Sequence, residues 1–357
     1  DITAFPCEPC EDCGHRYHTD EACAGGDSIT FQKIHCDECS MGFCQTFKDS
    51  SGNNTKACSI QLSYAEGSQW RAFEALDRVY LGGPHGSPLN RGLVDSVKTA
   101  QDTSDLDSIF KEEVKQAEER YHKTHPLAND YSFDLRFGCQ THITGLFKTQ
   151  LADGIMGMEH SNSSFWNQMY DAKMIGERKF ALCFSDTEKV DRDGTQAGAI
   201  TLGGSNAALH KSPMIYAENV NTKTGWFEIF VTGIYLKMER EDEKEAKVIK
   251  VDLDLDKLNE KGIILDSGTT ETYMPKLTKD PFEKAFEELL GEPFREEIEN
   301  LGEDNPFIDY PSILIQMRGA SNVDLKDLEK DGVRHNGLAG SLDPNSPDDI
   351  ILEMPPT

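Results

Sequence analysis

Short runs that alternate apolar and polar residues recur along most of the chain. Residues 58–64 form one such run, Glu66-Gly67-Ser68 follows as a turn, and the chain returns through residues 73–81. Alternation with a period of two is typical of a strand with one buried face. Two such runs joined by a glycine turn predict a β-hairpin.

Further strands are predicted where short apolar runs are bounded by turn residues. These runs cover residues 133–137, 180–184, 199–204, 226–231 and 249–255. Helical spacing is rarer and predicts helices over residues 104–122, 165–175 and 280–290. In the last of these, Asp280 is expected to cap the helix, Pro281 to lie in its first turn and Gly291 to end it. The pattern predicts a mainly β protein with a few short helices.

Length and charge limit the organisation and the partners. At roughly 150 residues per domain, 357 residues favour two lobes. We expect the lobes to span residues 1–184 and 185–357, with a helical insertion at about 84–130. The excess of 63 acids over 36 bases disfavours nucleic acid, which binds through Lys and Arg, and an anionic membrane surface. The chain contains no uninterrupted apolar run of about 18 residues, so no membrane-spanning segment is predicted within it.

Cysteine spacing indicates an oxidising compartment. An even number of cysteines crowded into the first 58 residues fits a disulfide framework, whose pairing the sequence leaves open. Two N-glycosylation sequons, which begin at Asn53 and Asn162, agree with a secretory route. The crowded cysteines are Cys7, Cys10, Cys13, Cys23, Cys36, Cys39, Cys44 and Cys58, and the distant ones are Cys139 and Cys183.

An acidic run at Asp252-x-Asp254-x-Asp256 resembles the start of a calcium-binding loop. An EF-hand loop needs Gly at its sixth position and Glu at its twelfth, and this chain has Lys257 and Ile263 there. The run is therefore interpreted as part of a strand with one solvated acidic face.

The most informative segment is residues 262–270, in which Ile-Ile-Leu leads directly into Asp266-Ser267-Gly268-Thr269-Thr270. Three large apolar residues predict a buried strand that ends at a carboxylate. Gly268 permits a tight turn. The neighbouring hydroxyl and backbone N–H groups can hold the carboxylate ionised and oriented.

This segment resembles the active-site signature of the pepsin-like aspartic peptidases, and other motifs follow in that family's order. Residues 64–68 resemble its flap hairpin, residues 152–157 the Asp-Gly-Ile strand beneath its first active-site loop, and residues 200–204 the Gly-Gly strand that opens its second lobe. The cysteine-rich start at residues 3–14 is similar to the plasmepsin V-like and nepenthesin-like branches.

The resemblance implies a bilobal, double β-barrel endopeptidase that activates water between two aspartates. It assigns catalysis to Asp266, and substrate binding and the flap to Tyr64, Gly67, Ser68, Gly268, Thr269 and Thr270. It implies a polypeptide substrate, no cofactor or metal ion, a monomer, and a secretory, vacuole-like or extracellular location.

The chain departs from the family pattern because it has only one Asp-Ser/Thr-Gly loop. We expect the second aspartate just upstream of Asp1, and the closing strands or a membrane anchor beyond Thr357. The chain alone is then expected to be inactive.

Two alternatives stay open at this level. A catalytically dead relative would use the same fold to bind peptides or proteins. A zinc module would use Cys7-x-x-Cys10, Cys36-x-x-Cys39 and the nearby histidines His15, His18 and His35, which have ligand-like spacing.

Overall fold

The computed structural model confirms a mainly β chain with few short helices. It describes residues 2–8, 10, 13–14, 23, 25–26, 28–48, 54–64, 66–80, 132–150, 152–184, 198–206, 214–239, 245–269, 272–294, 310–320 and 337–356. The predicted insertion at about 84–130, with its helix over 104–122, lies outside the described residues. The chain divides into two compact units, Asp1–Leu209 and His210–Thr357.

Unit 1 is built on a six-stranded sheet with the order β1-β6-β5-β4-β3, in which β2 also pairs with β5. The parallel pair is β1 with β6, and the other pairs are antiparallel. A helix, α1, packs against β6. The elements are β1 (Ala4–Pro6), β2 (Gln32–Lys33), β3 (Phe43–Lys48), β4 (Asn54–Ser63), β5 (Gln69–Tyr80), β6 (Ser132–Ile143), α1 (Phe165–Asp171), β7 (Phe180–Phe184) and β8 (Gly198–Leu202).

The two compact units divide after the strand pair β7–β8. A division after residue 184 would separate β7 from β8, but these two strands form an antiparallel pair from Phe180↔Leu202 to Phe184↔Gly198. Backbone pairing therefore keeps β8 with unit 1, and the compact units divide after Leu209. The lobe limits 1–184 and 185–357 stay a prediction.

Disulfides fasten the sheet of unit 1 to its irregular segments. The bonds join Cys7 to Cys139, Cys10 to Cys13, Cys36 to Cys44, and Cys39 to Cys58. The first of them spans 132 residues and ties the end of β1 to β6. Cys139 therefore belongs to the framework although the sequence places it far from the cluster. Cys23 carries a free thiol.

A buried carboxylate holds one disulfide-rich segment onto the sheet. Glu74 in β5 has no exposed surface. Its oxygens accept hydrogen bonds from the Ser40 hydroxyl at 2.6 Å, the Met41 backbone N–H at 3.1 Å and the Arg136 guanidinium at 2.9 Å. Burial alone would raise the pKa of Glu74, but these donors outweigh burial and leave that pKa below its ordinary value of 4.5.

Unit 2 contains a four-stranded antiparallel sheet with the order β11-β10-β13-β14 and a separate pair, β12 with β9. Leu236, Val251 and Phe286 lie in its core, where α3 packs against β10 and β11. The elements are β9 (Glu228–Ile229), β10 (Val231–Met238), β11 (Lys247–Lys250), α2 (Leu255–Asn259), β12 (Ile263–Ile264), α3 (Lys279–Leu290), β13 (Ser312–Met317) and β14 (Ile350–Met354).

Two local predictions in unit 2 were wrong. The acidic run does not extend the strand, because β11 ends at Lys250 and Asp254 caps α2 by accepting a hydrogen bond from the backbone N–H of Lys257 at 3.2 Å. The cap of α3 is Thr278, and Asp280 lies in the first turn, where its negative charge favours the helix dipole. Gly291 ends α3 in the left-handed conformation, as predicted.

Replacing Glu74 by alanine tests the buried carboxylate. Removing it leaves Arg136 and two backbone N–H groups without their partner, so we expect the free energy of unfolding to fall by about 3–5 kcal/mol. Urea unfolding at neutral pH with intact disulfides measures the change. Glu177→Ala is the matched control, because Glu177 pairs with Lys179 on the surface and should leave the midpoint unchanged. Equal midpoints for both variants would contradict this role for Glu74.

The same carboxylate predicts a pH dependence. Because the pKa of folded Glu74 lies below its ordinary value of 4.5, its stabilising effect is complete above about pH 4.5 and is lost as the pH falls through the folded value. We therefore expect the stability difference between wild type and Glu74→Gln to be constant near neutrality and to shrink in acid. Urea midpoints measured between pH 7 and pH 3 check this, and a difference that grows in acid would refute it.

Candidate active site

The Asp266 carboxylate is held by its own turn. The backbone N–H of Gly268 donates to Oδ1 at 2.8 Å, and the hydroxyl of Thr269 donates to Oδ2 at 2.5 Å. A β-carbon at Gly268 would lie 3.3 Å from Oδ1, so the close approach of this backbone favours glycine. Both oxygens are thereby held in one orientation.

The Asp266 turn lies just after β12, which pairs with β9. Ile263 pairs with Ile229, Ile264 pairs with Glu228, and the backbone N–H of Leu265 donates to the Phe227 carbonyl at 3.0 Å. These hydrogen bonds fix the direction of the chain as it reaches Asp266.

Polar side chains anchor the two strands. The buried carboxylate of Glu228 accepts hydrogen bonds from the side chains of Asn221 at 3.0 Å and Thr224 at 2.7 Å. Asn259 exchanges hydrogen bonds of 2.9 Å with the backbone of Val231 and so ties the end of α2 to β10. The Glu228 contacts therefore join β9 to the turn at 221–224, and the Asn259 contacts fix the chain just before Gly262.

The expectation that a buried strand leads into Asp266 was wrong. Ile263 is half-buried, whereas Ile264 is 42% and Leu265 56% exposed, and Asp266 is exposed as well. The physical reason is that β12 is two residues long and, in the part of the chain that the structure describes, has β9 as its one partner strand. An apolar run indicates burial only where neighbouring elements cover both of its faces.

The predicted hairpin around residues 64–68 is confirmed in unit 1. β4 and β5 pair from Ser59↔Phe73 to Ser63↔Gln69. Across the turn, the backbone N–H of Tyr64 donates to the Ser68 carbonyl at 2.8 Å. Gly67 has a φ of 95°, which explains why glycine occupies this position.

The Tyr64 side chain is placed by contacts that the sequence did not reveal. Its hydroxyl accepts a hydrogen bond from the indole N–H of Trp70 at 3.1 Å, and its ring meets Phe147 edge-on at a centroid distance of 5.2 Å. Burial raises the pKa of Tyr64, the hydrogen bond from Trp70 opposes this rise, and the charge of Glu66 adds to it. The signal that could have found this contact is Trp70 itself, because a buried indole N–H needs an acceptor.

Ser68 anchors the base of the hairpin. It is 1% exposed, and its hydroxyl accepts a hydrogen bond from the backbone N–H of Leu146 at 2.9 Å. A β-carbon at Gly145 would collide with the Ser68 hydroxyl oxygen. The loop after β6 is therefore fitted closely against the hairpin.

The first strand runs beside the Asp-Gly-Ile segment. Ala4 and Ile155 exchange backbone hydrogen bonds of 2.9 and 2.7 Å, and β1 pairs with β6 on its other side. A β-carbon at Gly154 would lie 2.5 Å from the Ala4 carbonyl oxygen, so this approach requires glycine. The residues near position 3 therefore lie directly against the segment at 153–155.

The structure thus brings the predicted site residues together in two groups. Asp266, Gly268 and Thr269 form one turn in unit 2, and Tyr64, Gly67 and Ser68 form one hairpin in unit 1. The remaining predicted residue, Thr270, lies outside the described residues.

Metal and membrane features were sought among the described residues. They contain no group of three or more His, Cys, Asp or Glu side chains placed to hold a metal ion. Of the cysteines and histidines proposed as zinc ligands, the four cysteines Cys7, Cys10, Cys36 and Cys39 are paired in disulfides. In the same part of the chain, no helix combines the length and the apolar character that crossing a bilayer requires.

Comparison with known proteins agrees with this geometry. Residues 131–295 match a family model described as "Eukaryotic aspartyl protease". The protein "Aspartic protease 5" of Toxoplasma gondii is 27% identical over 225 residues, a match that covers 59% of this chain and 18% of that protein. Both comparisons support a relationship to the pepsin-like aspartic peptidases. The chain spans less than a fifth of the curated relative, and the matched family segment includes the Asp266 turn.

Replacing Ser68 by alanine tests the anchor of the hairpin. The change removes the acceptor of the part-buried hydrogen bond from the Leu146 N–H, so we expect a loss of about 0.5–1.5 kcal/mol in the free energy of unfolding, measured by urea unfolding. The control is Ser63→Ala, an exposed serine in the same hairpin, which should change stability by less than about 0.5 kcal/mol. A loss that is no larger for Ser68→Ala would exclude the anchoring role.

Proposed function

We propose that this chain belongs to an aspartic-type endopeptidase in which Asp266 is one of two aspartates that activate water. The observation that carries the proposal is the Asp266 turn, in which both carboxylate oxygens are held by donors from Gly268 and Thr269. The match of residues 131–295 to the eukaryotic aspartyl protease family supports it.

The chemistry rests on two carboxylates at close range. Such a pair cannot both ionise cheaply, so the two groups share one proton, and aspartic proteases are themselves the standard example of this effect. The ionised partner removes a proton from the attacking water, and the protonated partner donates a hydrogen bond to the scissile carbonyl oxygen. Water attacks directly, so the peptide bond is hydrolysed without a covalent intermediate.

The second aspartate is proposed to come from residues just upstream of Asp1 in the parent protein. The sequence contains one Asp-Ser/Thr-Gly loop, at Asp266. The pairing of Ala4 with Ile155 supports the proposal, because family resemblance places the first active-site loop over this Asp-Gly-Ile segment. On this proposal the 357 residues alone do not hydrolyse peptides.

The hairpin at residues 64–68 is proposed to act as the flap over an extended polypeptide substrate. Its base is anchored by Ser68, and its tyrosine is oriented by Trp70. Closure over the substrate would exclude water other than the attacking molecule. Gly67, Gly268 and Thr269 are then expected to border the substrate, together with Thr270.

The four disulfides fit a secretory or lysosomal lumen, because such bonds persist in oxidising compartments. We propose this location for the parent protein, and we propose that it acts as a monomer. The disulfide-rich start of unit 1 also supports a place near the plasmepsin V-like and nepenthesin-like branches.

Substitution of Asp266 tests the peptidase assignment. In a longer chain that includes the residues encoded before Asp1, we expect Asp266→Asn to lower the rate of peptide hydrolysis at acidic pH by about 10²–10⁴-fold, because the general acid–base pair is broken. The assay is cleavage of a mixed peptide library followed by mass spectrometry. Asp252→Asn is the matched control, since Asp252 is an exposed aspartate of the same unit, and it should retain full activity.

Two outcomes would overturn the assignment. Equal activity of the wild type and Asp266→Asn would remove Asp266 from the mechanism. A folded long chain that binds peptides and cleaves none of them would favour the catalytically dead relative.

A further inference from the structure

Asn162 lies on an exposed turn just before α1, and it begins the sequence Asn162-Ser163-Ser164. This triplet is an acceptor sequence for N-linked carbohydrate, because the residue after the asparagine is not proline and the third residue carries a hydroxyl. The turn therefore combines the required sequence with an accessible asparagine.

The turn keeps its shape without help from the Asn162 side chain. The Ser161 carbonyl accepts hydrogen bonds from the Ser164 hydroxyl at 2.9 Å and from the Asn167 side-chain amide at 2.8 Å. The Ser163 carbonyl accepts a hydrogen bond from the side-chain amide of Gln168 at 2.9 Å. Among the described residues no hydrogen bond involves the Asn162 side chain, so a bulky group attached there displaces no contact.

The disulfides supply an independent argument. All four disulfides lie within unit 1. This type of bond forms in the oxidising lumen where N-linked carbohydrate is also transferred. Asn162 itself is exposed, and the helix that follows the turn buries Phe165, Trp166 and Met169.

We propose that Asn162 is a site of N-linked glycosylation. The amide nitrogen Nδ2 loses a proton and forms a bond to C1 of an oligosaccharide. The bond between C1 and the phosphate oxygen of a lipid-pyrophosphate oligosaccharide donor breaks, and the lipid pyrophosphate leaves. This assignment does not depend on the proposed peptidase activity, because it involves neither Asp266 nor the hairpin at residues 64–68.

Peptide mapping of the secreted full chain tests the assignment. The chain is produced in a eukaryotic secretory host, and the peptide that contains Asn162 is analysed by mass spectrometry before and after release of N-linked carbohydrate. We expect the wild-type peptide to carry carbohydrate and to contain aspartate at position 162 after enzymatic release. Carbohydrate at this position should be absent from Asn162→Gln and from Ser164→Ala, which removes the required hydroxyl.

Asn53→Gln is the matched control, because it removes the other sequon and leaves residues 162–164 intact. We expect its Asn162 peptide to be modified as in the wild type. An unmodified Asn162 peptide in secreted, disulfide-bonded wild type would overturn the proposal. This measurement on the wild type decides the question even if a variant fails to fold.

Discussion

The orientation of one carboxylate underlies the whole account of the site. Asp266 receives one donor on each oxygen from within its own turn, from Gly268 and Thr269. Two short hydrogen bonds fix the plane of the carboxylate. The remaining lone pairs stay available for a water molecule or a second carboxyl group. The pairing of β12 with β9 matters to function because it brings the chain into this turn in one direction.

In unit 1, buried polar contacts hold the base of the hairpin at residues 64–68. Trp70 is fully buried and still donates its indole N–H to Tyr64, while Ser68 accepts a hydrogen bond from the loop after β6. Below them, Glu74 joins the sheet to a disulfide-rich segment with several donors. An apolar core with a few satisfied polar contacts therefore holds the base of the hairpin.

Structural features that depend on a local pattern of residues could be predicted from the sequence. Features that depend on contacts between residues far apart in the chain could not. Alternation located β4 and β5, and short apolar runs located β7 and β8, because both patterns are local properties of the sequence. The partner of Cys7 could not be predicted, since Cys139 lies 132 residues away and their proximity results from strand pairing. The exposure of Leu265 was missed because burial depends on elements that the run itself does not encode. Asp254 caps α2 because side-chain capping outweighed weak alternation.

Binding of a transition-state analogue tests the central claim most directly. A peptide with a hydroxyl-bearing tetrahedral carbon in place of the scissile carbonyl mimics the hydrated peptide bond, and such analogues bind at least about 10²-fold more tightly than substrates. Calorimetry on the longer chain should show tight binding of this peptide, and Asp266→Asn should weaken it by at least about 10²-fold, while an amide peptide of the same sequence is little affected. Equal affinity of wild type and Asp266→Asn for the analogue would contradict the account.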